Sequence, residues 1–106
     1  MYSEDVLPNF KYINSDIGLK FLNFNQKLYI KILNSFLERY EHLDILALES
    51  EELNDVIHTI KGLSATLGME QLYGLTILEL TNDLREELKE SLALVITELK
   101  SELQTY

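Results

Sequence analysis

The strongest constraint on this chain is the spacing of its apolar residues. From Asn25 onward they recur at steps of three and four, and no stretch alternates apolar with polar over a strand's length. Three-and-four spacing lines up one face of a helix, whereas a half-buried strand needs a period of two. Leu28, Tyr29, Ile32, Leu33, Phe36, Tyr40 and Leu43 make the first stripe. Asn25 stands where a side-chain cap would start it, and Lys27, Lys31, Asn34, Glu38 and Glu41 fall on the other side. This predicts a surface helix about five turns long.

Three further helices follow from the same reading. Ser50 can cap free amides, with Glu51 and Glu52 in a first turn whose dipole favours acids. The stripe behind it is Leu53, Val56, Ile57, Ile60, Leu63 and Leu67, and Gly68 falls where a left-handed C-terminal cap belongs. A third helix is expected from Met69 or Glu70 through Leu72, Tyr73, Leu75, Ile77, Leu78 and Leu80, apolar around much of its circumference and therefore covered on several sides. The fourth carries Leu92, Val95, Ile96, Leu99 and Leu103, with Glu98, Lys100 and Glu102 outside. Because one uncapped helix of about 35 residues would be unusual, a turn is placed around Glu87 to Ser91. Before Asn25 lie a short helical piece at Asp16 to Leu22, weakened by Gly18, and a lead-in of residues 1–14. The expected architecture is all-α: one domain over 1–106, an antiparallel four-helix bundle with a short additional N-terminal helix.

Composition narrows the function. With no Cys among 106 residues, disulfide scaffolds, thiolate metal sites and thiol nucleophiles are excluded. His42 and His58 are the only imidazoles, and inward Glu-x-x-His motifs of a carboxylate-bundle metal site are missing, so no metal is expected. A net charge of -9 repels a phosphate backbone, which argues against nucleic acid. No apolar run reaches the roughly 20 residues of a membrane span. Glu4 and Asp5 stand where a signal peptide would be basic then apolar, so no membrane insertion and cytoplasmic residence are expected. His42, near the end of the first long helix, reads as a complement to the helix dipole.

One face remains that carries chemistry. Projected at about 100° per residue, the second stripe fills an arc of roughly 120°, and His58 falls nearly opposite its centre. Gly62 and Ala65 share that outer face, and Lys61 flanks it. A glycine inside a helix costs about 1 kcal/mol relative to alanine, so an outward Gly62 implies close approach by something else. Lys61 is the only Lys or Arg between Arg39 and Arg85, a window with nine acids. A protonated amine three residues from an exposed imidazole can hold a small anion near a ring nitrogen. Ser64 points to the apolar side and reads as a packing residue or a local backbone bond.

The run from His58 through Gly68, His-Thr-Ile-Lys-Gly-Leu-Ser-Ala-Thr-Leu-Gly, closely resembles the signature of histidine-containing phosphotransfer (HPt) domains of two-component phosphorelays. That signature is a histidine, an apolar residue two positions on, Lys-Gly at three and four, small residues at six and seven, and Leu-Gly at nine and ten. All are present here. Gln26 to Leu37 looks like the family's preceding helix, while Tyr73 stands where a small residue is usual and Leu78-Glu79 arrives early. The resemblance implies a phosphocarrier without kinase activity of its own. His58 would take a phosphoryl group from a receiver-domain phospho-aspartate and pass it to another receiver's aspartate. Lys61 would stabilise the phosphoryl oxygens, and Gly62 and Ala65 would give access. Implied partners are response-regulator receiver domains, which bring their own Mg²⁺, and a hybrid sensor histidine kinase. No cofactor is expected on this chain, and one outward site has no need of a dimer. The competing reading is a helical interaction module that binds a receiver or other signalling partner without carrying phosphate.

Overall fold

The computed structural model describes residues 10–103, and the statements that follow concern those residues. Glu4, Asp5, Pro8 and the rest of the lead-in before Phe10 lie outside them. The described chain forms five α-helices: α1 (Ser15–Phe21), α2 (Gln26–Tyr40), α3 (Ser50–Leu67), α4 (Glu70–Thr76) and α5 (Asn82–Glu102), with a 3-10 turn at Ile45–Ala47 between α2 and α3. It is all-helical, with no strand among the described residues. No described helix is long and apolar enough to cross a membrane.

Several starts and stops have a local cause. Asn25 accepts from the Leu28 amide at 3.0 Å and begins α2 as the sequence predicts. The helix ends at Tyr40 after 15 residues, about four turns rather than five, and Leu43 follows it. Its buried face is Tyr29, Leu33, Phe36 and Tyr40, while Leu28 is exposed, a correction to the predicted stripe. The short helix starts at Ser15 because the Asn14 side chain accepts from the Asp16 amide at 3.1 Å. Gly18 is required by packing despite its helix propensity, since a Cβ there would run into the Tyr29 ring. Past α1, the Phe24 amide reaches the Leu19 carbonyl at 2.7 Å and the Asn23 amide reaches Lys20 at 3.3 Å. This is the paired bonding of a left-handed helix end. Asn23 (φ 55°) suits that conformation, whereas Phe24 (φ 61°) does not.

Three predicted boundaries are corrected. Ser50 is the first residue of α3, not its cap; Glu49 precedes the helix and makes no side-chain cap bond. The extended backbone reaches as far as Glu49, so the hydroxyl comes one residue too late to cap, and the acids Glu51 and Glu52 carry the first turn. The third helix stops at Thr76, whose hydroxyl donates back to the Tyr73 carbonyl at 2.6 Å. Ile77, Leu78 and Leu80 are therefore exposed rather than covered. The break lies here, not at Glu87 to Ser91: Thr81 caps α5 by accepting from Leu84 at 3.1 Å, and α5 runs unbroken for 21 residues. Leu84, Leu88, Leu92, Val95 and Leu99 keep one continuous buried stripe through it, and Ser91 is buried within.

The helices share one apolar core. α3 packs on α1 and α4, and α5 packs on α2, α4 and the 3-10 turn. Tyr29, Leu33, Leu67, Met69 and Leu99 are fully enclosed, each contributing on the order of 1.5–3 kcal/mol by burial. Arg85 braces the 3-10 turn by donating from one guanidinium nitrogen to the Leu48 carbonyl at 2.8 Å, with Ile45 and Leu46 at 3.4 Å. Glu98, predicted to be a solvated outer residue, is half-buried and accepts from the backbone amides of Lys11 and Tyr12, holding the lead-in against α5.

Candidate functional site

The 18 residues of α3 set the site geometry. Leu53, Ile60, Ser64 and Leu67 are its buried face. His58 lies on the opposite side and is exposed, as are Lys61 and Gly62; Ala65, one turn beyond, is half-buried. All four predicted site residues are thus on one helix, three of them open and the fourth at the margin. A rise of about 1.5 Å per residue puts Lys61 one turn from His58. Among the described residues neither side chain makes a hydrogen bond or ion pair. The acids that a surface lysine would pair with, Glu51, Asp55 and Glu70, leave the Lys61 amine free.

Gly62 is the informative position. A Cβ built on it meets nothing within 4 Å, so no neighbouring helix requires the glycine. Gly74 in α4 is open too, so space alone does not mark a site. What distinguishes Gly62 is its place on the exposed face one turn from His58 and next to Lys61. Ser64 is buried and donates to the Lys61 carbonyl at 3.3 Å, the local backbone bond predicted for it.

The C-terminal end of α3 is held from several directions, and most of these contacts join residues far apart in sequence. Gly68 takes φ 86°, and both its amide and that of Met69 reach the Ser64 carbonyl, at 3.1 and 2.9 Å. The Asn14 amide donates to the Gly68 carbonyl at 2.7 Å, and the Asn14 side chain donates to Glu70 at 3.3 Å. The buried Tyr29 hydroxyl donates to the Leu67 carbonyl at 2.8 Å, and burial pushes its phenol well above the ordinary value. These bonds satisfy carbonyls that a helix end leaves without partners and tie the end of α3 to α1 and α2. Sequence reasoning recognised Gly68 but not Asn14 or Tyr29 as its supports.

His42 is not part of this face. It follows the end of α2, with its side chain largely exposed and Nε2 3.7 Å from Glu41. Glu41 itself accepts from Lys100 at 2.9 Å, and that hydrogen bond holds its carboxyl below the usual range. Three surface concavities are lined by other residues, on α5, the α2 end and the lead-in, and none includes His58. Among the described residues no three His, Asp or Glu side chains converge as a metal site. The face can therefore present a ring nitrogen and one cation to an incoming group from solvent. Compared with known protein families, curated proteins and solved structures, the chain gives no match.

Proposed function

We propose that the chain is a phosphorelay intermediate of the HPt kind, with His58 as the phosphoacceptor. The observation that carries this reading is the open face of α3, where an exposed imidazole at 58 stands one turn from an unpaired lysine at 61 and a glycine with no internal role at 62. A helix face open to solvent suits group transfer inside a partner's cleft. The lone pair of the His58 nitrogen remote from the backbone attacks the phosphorus of an aspartyl phosphate in line. The N–P bond forms while the P–O bond to the aspartyl carboxylate breaks, and that bond's electron pair leaves on the carboxylate oxygen. Reversal onto a second receiver's aspartate completes the relay. Positioning and charge stabilisation supply most of the acceleration in such transfers. Lys61 meets the phosphoryl oxygens from one side, Gly62 and Ala65 leave room for the receiver's loops, and the receiver brings Mg²⁺. The chain is a carrier, not an enzyme with autonomous kinase activity.

The same reading takes α2, α3, α4 and α5 as a four-helix bundle, with α1 as the additional N-terminal helix. The packing of α3 on α4 and of α5 on both α2 and α4 supports it, although α4 is a short member of seven residues. A phosphorylated receiver panel tests the function. The expected result is acid-labile, base-stable label on the wild type and none on His58→Gln. Receiver binding that survives His58→Ala with no label transferred from any receiver would instead support the interaction-module reading.

A further inference from the structure

The turn between α1 and α2 displays side chains that nothing described in the fold uses. Phe21 is 64% and Phe24 66% exposed, and Leu28 in the first turn of α2 is also open. Around them stand Lys20, Lys27 and Lys31, all exposed, and among the described residues none is in an ion pair. Lys27, Leu28 and Lys31 fall within about 100° of one another on α2. The stretch from Ile17 to Leu37 contains those three lysines and no acid, in a chain whose net charge is -9. Phe24 is also held at φ 61°, a conformation that bulky residues avoid, by the 2.7 Å bond from its amide to Leu19. A strained, outward aromatic is poorly explained by folding alone.

We infer that this turn is a peripheral contact with anionic lipid headgroups, in which Phe21 and Phe24 enter the interface and Lys20, Lys27 and Lys31 meet lipid phosphates. The chemistry favours lipid over the other occupants. Protein interfaces are depleted in lysine and favour arginine, and this stretch contains three lysines and no arginine. Lysines next to aromatic side chains are instead the usual means of adsorption to an anionic bilayer, where each cation adds independently. A fluid surface also accepts two projecting rings without a matching pocket. A second copy placed symmetrically would set like charges against each other. Asp16, one turn before Lys20, and Glu38, two turns beyond Lys31, border the patch, while acids farther off than a Debye length of about 8 Å are screened from it. This inference does not rest on phosphotransfer by His58.

Flotation of the full chain with vesicles of equal parts phosphatidylglycerol and phosphatidylcholine tests it, with pure phosphatidylcholine as the reference. The wild type should float with the anionic vesicles only, and added salt should release it. K20Q/K27Q/K31Q should weaken binding about a hundredfold, and F21S/F24S at least about tenfold; both variants change exposed side chains and should keep the wild-type helical signal. No flotation with anionic vesicles at low salt overturns the proposal, as does equal binding by the lysine variant. Unchanged vesicle binding by that variant, together with slowed transfer from receivers, would assign the turn to a protein partner and also overturn it. His58→Gln should bind vesicles as the wild type does. A failure of phosphotransfer would therefore leave this result standing.

Discussion

Replacing Gly68 by alanine attacks the junction at which the end of α3 meets the start of α1. Two costs can be worked from the structure. At φ 86° an L side chain adopts the left-handed conformation, which costs about 1–2 kcal/mol. The new Cβ would also overlap the backbone oxygen of Asn14, and backbone cannot swing aside as the end of a flexible side chain would. Relief requires the 2.7 Å bond from the Asn14 amide to the Gly68 carbonyl to loosen, at about 1 kcal/mol. The sum is about 2–3 kcal/mol, a large part of the roughly 5–15 kcal/mol that holds a small domain folded. Urea unfolding followed by circular dichroism should show the midpoint falling by about 1–2 M with the slope unchanged. Gly68→Asn separates the contributions: asparagine tolerates the backbone angle but keeps the overlap, so its cost should fall between wild type and alanine. A Gly68→Ala protein within about 0.5 kcal/mol of wild type would refute this account of the junction.

Gly62→Ala should do the reverse, raising stability by about 1 kcal/mol in the same assay because it improves helix propensity at an open position; a loss would reveal a contact that requires the glycine. Tyr29→Phe removes the 2.8 Å bond to the Leu67 carbonyl and should cost about 1–2 kcal/mol. Burial raises the Tyr29 phenol, so the folded state holds its proton above the ordinary value of about 10. That stability is complete below the unfolded value and is lost as pH rises towards the folded one. Unfolding at increasing alkalinity should therefore show a shallower loss in Tyr29→Phe, with Tyr40, also raised by burial, supplying the remainder. Glu41 has the opposite sign: the bond from Lys100 depresses it, so its contribution is present above the unfolded carboxylate value and is lost as pH falls through the folded one. An NMR titration should show the Glu41 midpoint moving up in Lys100→Met, with little change in stability near neutrality because the pair lies at the surface.

The common face of the candidate residues was more legible in the sequence than the helix boundaries, for a physical reason. His58, Lys61, Gly62 and Ala65 lie on a single helix, so a projection at 100° per residue fixes their common face without knowledge of any other element. Gly68 was legible because few residues accept the left-handed angle. The third helix is shorter than its spacing predicts because an apolar side chain need not be a buried one. Ile77, Leu78 and Leu80 carry the periodicity but stand in solvent, and the stop at Thr76 comes from a hydroxyl bond to the backbone, which spacing does not encode. Thr81 followed by Asp83 was a readable start signal, and the leucine steps from Leu84 through Leu99 would have carried α5 across Ser91. The contacts of Asn14 and Tyr29 with the end of α3 were not readable, since they join residues far apart in the chain through backbone carbonyls that every residue possesses.

The central claim is that His58 alternates between free imidazole and phosphoimidazole. Its most direct test is a pulse and chase on one sample: phosphorylate the chain from a labelled receiver, locate the phosphoryl group by peptide mapping at alkaline pH, then add a second, unlabelled receiver. The label should map to His58 alone and then leave for the second receiver's aspartate, with Lys61→Ala slowing both steps and Tyr29→Phe slowing neither while folded. Label on any other residue, or label on His58 that no receiver can remove, would contradict the carrier role.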